Sequence, residues 1–325
     1  MFKRISAAAL QLIILFNISC GSHNNITIIK LGHSQDISHP VHLGMAYMAE
    51  ILYKKSNGSI SVDIYPSEQL GSERELIELL QIGSLGMAKV SASPLEGFVP
   101  EMKIFSLPYA FRNEEHLWKV LNGNIGKRLL LACTKYYLRG MCYYDAGSRS
   151  FYTKEIPIES PQNLNGLKIR VQKSITSVEM IKAMGGSATP IAWGELYTAL
   201  QQGVVDGAEN NPPSFYLSKH FEVCKFYSLD EHTWVPDVLL IGTKTWNRLS
   251  TQQQNWLQEA IDESVDYQRR LWKVASDEAL REVQKAGVDV IYPEKSLFRE
   301  AVTGMYDTFK GTHIYDLLQE INAIK

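Results

Sequence analysis

The sequence predicts an α/β fold arranged in two lobes, on three observations. Strand-like and helix-like segments alternate from Ile26 to about Ser91, which implies a parallel sheet covered by helices. The same alternation restarts near Gly147. A single helical pattern over 251–287 meets neither proline nor glycine before Gly287. At ~1.5 Å per residue it reaches roughly 55 Å, more than the width of one lobe, so it lies across both.

The first segment is not part of the fold. Lys3 and Arg4 precede an apolar run, Ile5 to Ile18, too short to span a bilayer as a stable helix. Residues 1–19 read as a secretory signal peptide. Ser19-Cys20-Gly21 suggests lipoprotein processing, although Asn17 stands where a strict signal has leucine. The expectation is an exported, cell-envelope protein, acylated at Cys20 and joined to its anchor by a tether over 20–25.

The elements then follow in order. Ile26–Gly32 alternates and reads as a strand. His39-Pro40 opens a helix to about Ser56, with Met45, Met48, Ala49 and Leu52 at helical spacing. Asn57-Gly58 turns into a strand, Ile60–Tyr65, which Pro66 ends. Ser72 and Glu75 form a capping box for a helix over Glu73–Gln81, closed by Gly83. Met87–Val90 is a short strand, and Phe105–Phe111 an aromatic loop.

The second unit offers strands at Arg149–Thr153 and Leu167–Val171 and a helix from Ile175 to Met184. The helix Leu196–Gln202 ends at Gly203, a residue suited to a left-handed cap. Val204-Val205 reads as a short buried strand ended by Asp206-Gly207, after which Glu209, Asn210 and Asn211 emerge. Val238–Thr243 is another strand. Ser250 and Gln253 box the start of the long helix, which is either continuous or broken near Ser276-Asp277. A strand at Val288–Tyr292 and a final helix close the chain.

Composition narrows the function. Of 325 residues, 45% are hydrophobic and 21% charged, the balance of a soluble globular protein. A net charge of −2 gives no reason to expect nucleic acid as a partner. Cys133, Cys142 and Cys224 show no metal-binding spacing and read as buried small apolar residues. No cofactor or metal is implied. GxSxG, HExxH and Cys/His motifs are missing, which weakens an enzymatic reading such as a uronate-processing lyase or hydrolase.

The binding chemistry gathers at strand ends, where open α/β sheets hold small ligands. Gly166-Leu-Lys-Ile-Arg170 puts an arginine on one strand, and Asn210-Asn211 puts two amides after another. A guanidinium fork with neutral amides suits a carboxylate. The ordinary readings compete: a solvated face for Arg170 beside Lys168, and turn formers for Asn210 and Asn211 before Pro212-Pro213.

Four motifs occur in order: Gln69-Leu-Gly71 with Glu73, Leu107-Pro-Tyr109, Gly166-Leu-Lys-Ile-Arg170 and Leu200-Gln-Gln-Gly-Val-Val-Asp-Gly-Ala-Glu-Asn210. Together they resemble the extracytoplasmic solute receptors of TRAP transporters over nearly the whole exported chain. The resemblance implies a two-lobed periplasmic-binding-protein fold with a hinge, a long bracing helix and a ligand enclosed between lobes. The lobes then comprise 26–146 with 236–275, and 147–235 with 276–325. Arg170 is implied to pair with the ligand carboxylate, with Arg149 and Asn210 beside it and Trp193 packing on the ligand. Arg149 reads almost equally as a structural ion pair, and Trp193 as core.

Glu73 is either a first-turn helix charge or an acceptor for sugar hydroxyls. Asn211, His33, His39, Ser91 and His232 are further candidates. Ser91 stands where the sialic acid receptors carry an acid. The phrases Gly147-Ser-Arg-Ser-Phe-Tyr152 and Trp193-Gly-Glu-Leu-Tyr-Thr-Ala-Leu200 are more similar to the receptors for glucuronate and galacturonate. The implied ligand is therefore a uronic acid passed to a membrane permease, with sialic acid or a C4-dicarboxylate as the alternative.

Overall fold

The computed structural model describes residues 26–325. The expected signal peptide, the tether and Cys20 lie outside the described residues. Among those described, no helix is long and apolar enough to cross a membrane.

The first lobe begins with β1 (Thr27–Gly32), α1 (Pro40–Lys55), β2 (Ile60–Tyr65), α2 (Glu73–Ile82) and β3 (Met87–Ser91). The short α3 (Ala92–Leu95), then α4 (Glu114–Asn122), α5 (Asn124–Ala132) and β4 (Leu138–Tyr144) complete its first pass. The second lobe holds β5 (Ser148–Thr153), β6 (Lys168–Val171), α6 (Ile175–Ala183), β7 (Ser187–Pro190), α7 (Leu196–Gln201), β8 (Gly207–Asn210), α8 (Pro212–Leu217) and β9 (Phe226–Trp234). The chain returns to the first lobe through β10 (Asp237–Gly242) and α9 (Thr243–Arg248). Then come α10 (Thr251–Lys285), β11 (Asp289–Ile291), α11 (Lys295–Asp307) and α12 (His313–Ala323).

Each lobe is built on one sheet, in the orders β2-β1-β3-β10-β4 and β11-β9-β5-β8-β6-β7. Both sheets are mixed, which corrects the all-parallel expectation. β10 runs antiparallel to β3 and β4, and β5 antiparallel to β8 and β9. The reason is the double crossing. β1 and β3 run toward the cleft, whereas β10 starts at the cleft after crossing from β9 and must run away from it.

Helices cover both faces of each sheet, so the central strands are apolar on both sides. Along β10, Val238 and Leu240 enter one core while Leu239 and Ile241 enter the other. In the second lobe Tyr152 and Phe151 divide in the same way.

Several elements differ from the sequence reading. Val204 is 49% exposed in a turn, and the strand is Gly207–Asn210 instead. Backbone pairing with β5 and β6 makes that strand, not an apolar run. β4, β7, β9, α4 and α5 went unread; β9 carries Asp230, Glu231 and His232, whose charges mask a strand pattern. The end of the chain forms two helices. α12 buries Ile314, Leu317, Leu318 and Ile321 in the first lobe's core, not with the second lobe as 276–325 was divided.

α10 is continuous through Ser276-Asp277. Its Leu257 and Ile261 pack in the first lobe and its Val283 in the second. Midway, Gln268 fastens it to the crossing between β4 and β5. Its amide accepts from the Asp145 backbone N–H at 2.8 Å and donates to the Asp145 carbonyl at 2.8 Å. Gln268→Leu leaves both backbone groups buried and unpaired, at about 1–3 kcal/mol each. The expected loss is about 2–6 kcal/mol in a reversible urea unfolding experiment; a loss near zero would show that the clamp is dispensable.

Candidate ligand site between the lobes

The C-terminal ends of β3, β6 and β8 meet a cavity between the lobes with an empty volume of about 620 Å³. Of the candidate residues, Arg170, Arg149, Asn210, Asn211, Glu73, Trp193, Ser91 and His39 line it. His33 and His232 do not.

Three cations are buried around the cavity, and two are neutralised from within. Lys89 lies 3.2 Å from Glu73 and 3.2 Å from Asp237. Burial works against its charge, but the two carboxylates outweigh burial and raise its pKa. Glu73 Oε1 also accepts from the Ser91 N–H at 3.1 Å and the Ser34 hydroxyl at 3.3 Å. Glu73 is thus more than a helix charge: it is a structural counter-ion with one oxygen already saturated.

Arg149 is the second. It donates to both carboxylate oxygens of Glu209 and, from Nη2, to the Glu209 carbonyl at 2.8 Å. Its Nη1 donates to Asn210 Oδ1 at 2.8 Å. The ion-pair alternative for Arg149 is the arrangement found. Glu209 is buried, yet Arg149 and His232 hold its carboxyl down at about 2. His232 continues the chain, 3.6 Å from Glu209 and 2.8 Å from Asp230. It is sealed beneath the cavity and does not line it, so this candidate is not brought to the ligand site.

Arg170 is the third, and it is not neutralised in this way. Its Nε donates to the Ile191 carbonyl at 2.9 Å, while its Nη1 is buried without a hydrogen-bond partner among the described residues. Burial lowers its pKa. The solvated-face reading therefore fails: Arg170 is 2% exposed, with Ile191 and Trp193 against its guanidinium. Trp193 is a partly buried core residue that also lines the cavity. It packs on the second lobe's core and lies with its ring 5.8 Å from the Arg170 guanidinium carbon.

Asn210 Oδ1 accepts from Arg149 and from the Asn211 N–H at 2.9 Å, so its free donors are on Nδ2. Asn211 caps α8, accepting from Ser214 N–H at 2.9 Å. His39 caps α1 through Val41 N–H at 3.3 Å, and its Nε2 meets Ser214 Oγ of the other lobe at 3.3 Å. His33 is turned into the first lobe. Its Nδ1 accepts from Gln35 N–H at 3.1 Å and its Nε2 lies 3.0 Å from His42. Burial and the nearby Lys89 charge push its pKa down to about 2, which keeps it neutral.

The lobes are closed on each other. The Ser91 hydroxyl donates to Gln172 Oε1 at 3.2 Å, and Gly194 N–H donates to Glu68 Oε2 at 3.1 Å. Glu96 Oε1 accepts from the Ser174 hydroxyl at 2.9 Å and the Thr176 N–H at 3.0 Å, at the start of α6. Glu68 and Gln172 were missed in the sequence. The signal for Glu68 is visible only in the backbone: Ser67 and Glu68 both take left-handed conformations, φ 53° and 58°, a strain that clusters at functional sites.

The buried charge chain makes stability depend on pH. Burial opposes the His232 charge, but Asp230 and Glu209 outweigh it and raise its pKa from 6.5 to about 9. Because the folded value is the higher, the stabilisation is full below pH ~6.5 and is lost as pH rises through about 9. Its size is on the order of 3 kcal/mol. Urea unfolding of the wild type should weaken across that window, and His232→Gln should remove most of the slope. Parallel pH profiles for the two proteins would contradict the assignment.

The family model for bacterial extracellular solute-binding protein family 7 matches residues 31–312. A relative in Salmonella typhimurium, the uncharacterized protein YiiZ, is 36% identical over 327 aligned residues, covering 100% of this chain and 98% of its own. A TRAP periplasmic solute binding protein from Xanthobacter autotrophicus, solved with bound β-D-galacturonate, superposes with a TM-score of 0.89 at 37% identity; the match covers 91% of this chain and 100% of that one. One from Pseudomonas putida F1, with bound D-glucuronate, has a TM-score of 0.89 at 34% identity, covering 92% and 97%. The two sheets hinged about α10, the closed cavity and these matches together place this chain in bacterial extracellular solute-binding protein family 7, as a TRAP-type solute receptor and not an enzyme.

Proposed function

We propose that this receptor captures D-glucuronate or D-galacturonate between its lobes and hands it to a TRAP membrane permease. The observation that carries the reading is Arg170, a buried guanidinium with Nη1 unpaired at the cavity wall. A buried cation of this kind calls for an anion. One carboxylate satisfies it as a bidentate partner. Asn210 Nδ2 supplies a neutral donor to the same group, and Arg149 holds Asn210 in place for it. Trp193 offers an apolar face to the C–H side of a sugar ring.

The ligands of the Xanthobacter and Pseudomonas proteins support a uronate. A neutral hexose would leave Arg170 without a counter-ion. A dicarboxylate that placed its second charge beside Glu68 and Glu73 would meet like charge there, away from the Arg74 and Lys173 that line the same cavity. Lipid attachment at Cys20 belongs to the same proposal, and rests on the apolar run followed by Ser19-Cys20-Gly21.

Arg170→Ala should cost about 3–5 kcal/mol of uronate binding in calorimetry, and Arg170→Lys should also bind poorly, because a point charge does not reproduce the fork. In a thermal-shift panel the two uronates should stabilise the wild type, and glucose and succinate should not. An alanine variant that binds within about threefold of wild type would remove Arg170 from its role. The largest shift from a C4-dicarboxylate or sialic acid, with none from either uronate, would replace the ligand.

Cys20→Ser tests the anchor separately. The variant expressed in its native host should move from the detergent phase to the aqueous phase, with ligand affinity unchanged. Equal partitioning of variant and wild type into water would exclude acylation at Cys20.

A further inference from the structure

The cavity carries a second unpaired polar atom, of opposite sign. Glu68 Oε1 is buried without a hydrogen-bond partner among the described residues, and Glu68 lines the cavity. The side chain is not there by slack in the loop. Its backbone is pinned in the left-handed conformation, with Glu68 N–H donating to the His33 carbonyl at 3.1 Å and Gly71 N–H donating to the Glu68 carbonyl at 2.9 Å. Its Oε2 reaches across the cleft to Gly194 N–H. That approach is close: a Cβ on Gly194 would stand 2.4 Å from Glu68 Oε2. One oxygen is therefore fixed to the opposite lobe, and the other is left as a bare acceptor at the cavity.

Glu73, the acid first considered for hydroxyls, differs in kind. Its Oε1 is taken by Lys89, Ser91 and Ser34. Glu68 forms no salt bridge among the described residues, and the Arg170 charge acts on it only from a distance. Burial raises its pKa, which is the cost of holding an unsatisfied carboxylate in a closed site and is relieved by a hydroxyl donor.

We propose that Glu68 is the residue that reads a ring hydroxyl of the ligand while it latches the lobes together, so that one carboxylate couples hydroxyl recognition to closure. This rests on the sugar-acid reading above. Arg170 then selects for the acid and Glu68 for the sugar. A ligand with a second carboxylate near Glu68 is rejected by like charge, and a hydroxyl-free acid leaves Oε1 unpaired, so discrimination comes from both attraction and penalty.

The test is calorimetry on wild type, Glu68→Gln and Gly194→Ala. The ligands are D-glucuronate, D-galacturonate, their monodeoxy derivatives and tetrahydropyran-2-carboxylate, an acid on a hydroxyl-free ring. Glu68→Gln keeps an acceptor for Gly194 but presents an N–H₂ donor in place of Oε1. It should weaken uronate binding by roughly tenfold or more. The penalty should shrink to within about threefold for one monodeoxy uronate and for tetrahydropyran-2-carboxylate. Gly194→Ala, which displaces the latch and keeps the carboxylate, should weaken uronates and speed their release in stopped-flow measurements.

Unliganded melting temperatures that match the wild type exclude a folding defect; if Glu68→Gln melts early, Gly194→Ala carries the comparison among the same acids. Uronate binding unchanged in both variants overturns this inference alone. So does an equal loss on every acid, which would make Glu68 a latch only. A wild type that binds succinate or tetrahydropyran-2-carboxylate and no uronate overturns the uronate reading and this inference together.

Discussion

A buried guanidinium without a counter-ion is the constraint on which this site turns. Arg170 loses its hydration when the lobes close, and the surrounding protein gives it one carbonyl for Nε and no partner for Nη1. Removing an ion from water without a partner is costly. The closed state is therefore electrostatically incomplete by itself. A carboxylate that completes it binds the closed form better than the open one, and such differential affinity is what drives closure on ligand.

Among the buried cations around the cavity, that imbalance is confined to Arg170. Lys89 is held between Glu73 and Asp237. Arg149, Glu209, His232 and Asp230 alternate in sign beneath the cavity. Had Arg149 been left unpaired as well, two cations would compete for one carboxylate and the site would suit a dianion. With Arg149 spent on Glu209, its remaining contribution is to hold the Asn210 amide in a single orientation. The same network accounts for Asp230 and His232 along β9, while Glu231 pairs instead with Lys295.

Closure itself is a matter of geometry at the crossings. The chain passes between lobes at Asp145–Gly147 and again at Val235-Pro236, and α10 runs beside them as a third connection. Gln268 ties α10 to the first crossing by two hydrogen bonds, so the helix is a fixed bar about which the lobes turn. Contacts that exist only when the lobes meet then sum with the ligand's own. They include Ser91 to Gln172, Glu68 to Gly194 and Glu96 to the start of α6. Each is modest, because it replaces bonds to water.

The sequence alone determined the features that depend on neighbours along the chain. The capping boxes at Ser72 and Ser250, the strand Ile60–Tyr65, the helices of the first lobe's opening and the unbroken α10 were legible from local spacing, because a helix cap or a pleat is made within a few residues. The strand-end positions of Arg170 and Asn210 were legible too, with the order of motifs adding the rest of the receptor architecture. Tertiary structure decided what the charges do. That Arg149 is consumed by Glu209, that Glu73 serves Lys89, that His232 is sealed away and that Glu68 faces the cavity all follow from pairings between residues far apart in the chain. Sign and spacing along a sequence do not say which cation meets which anion across a cleft. The fold settles that by burying some pairs together and leaving Arg170 without one.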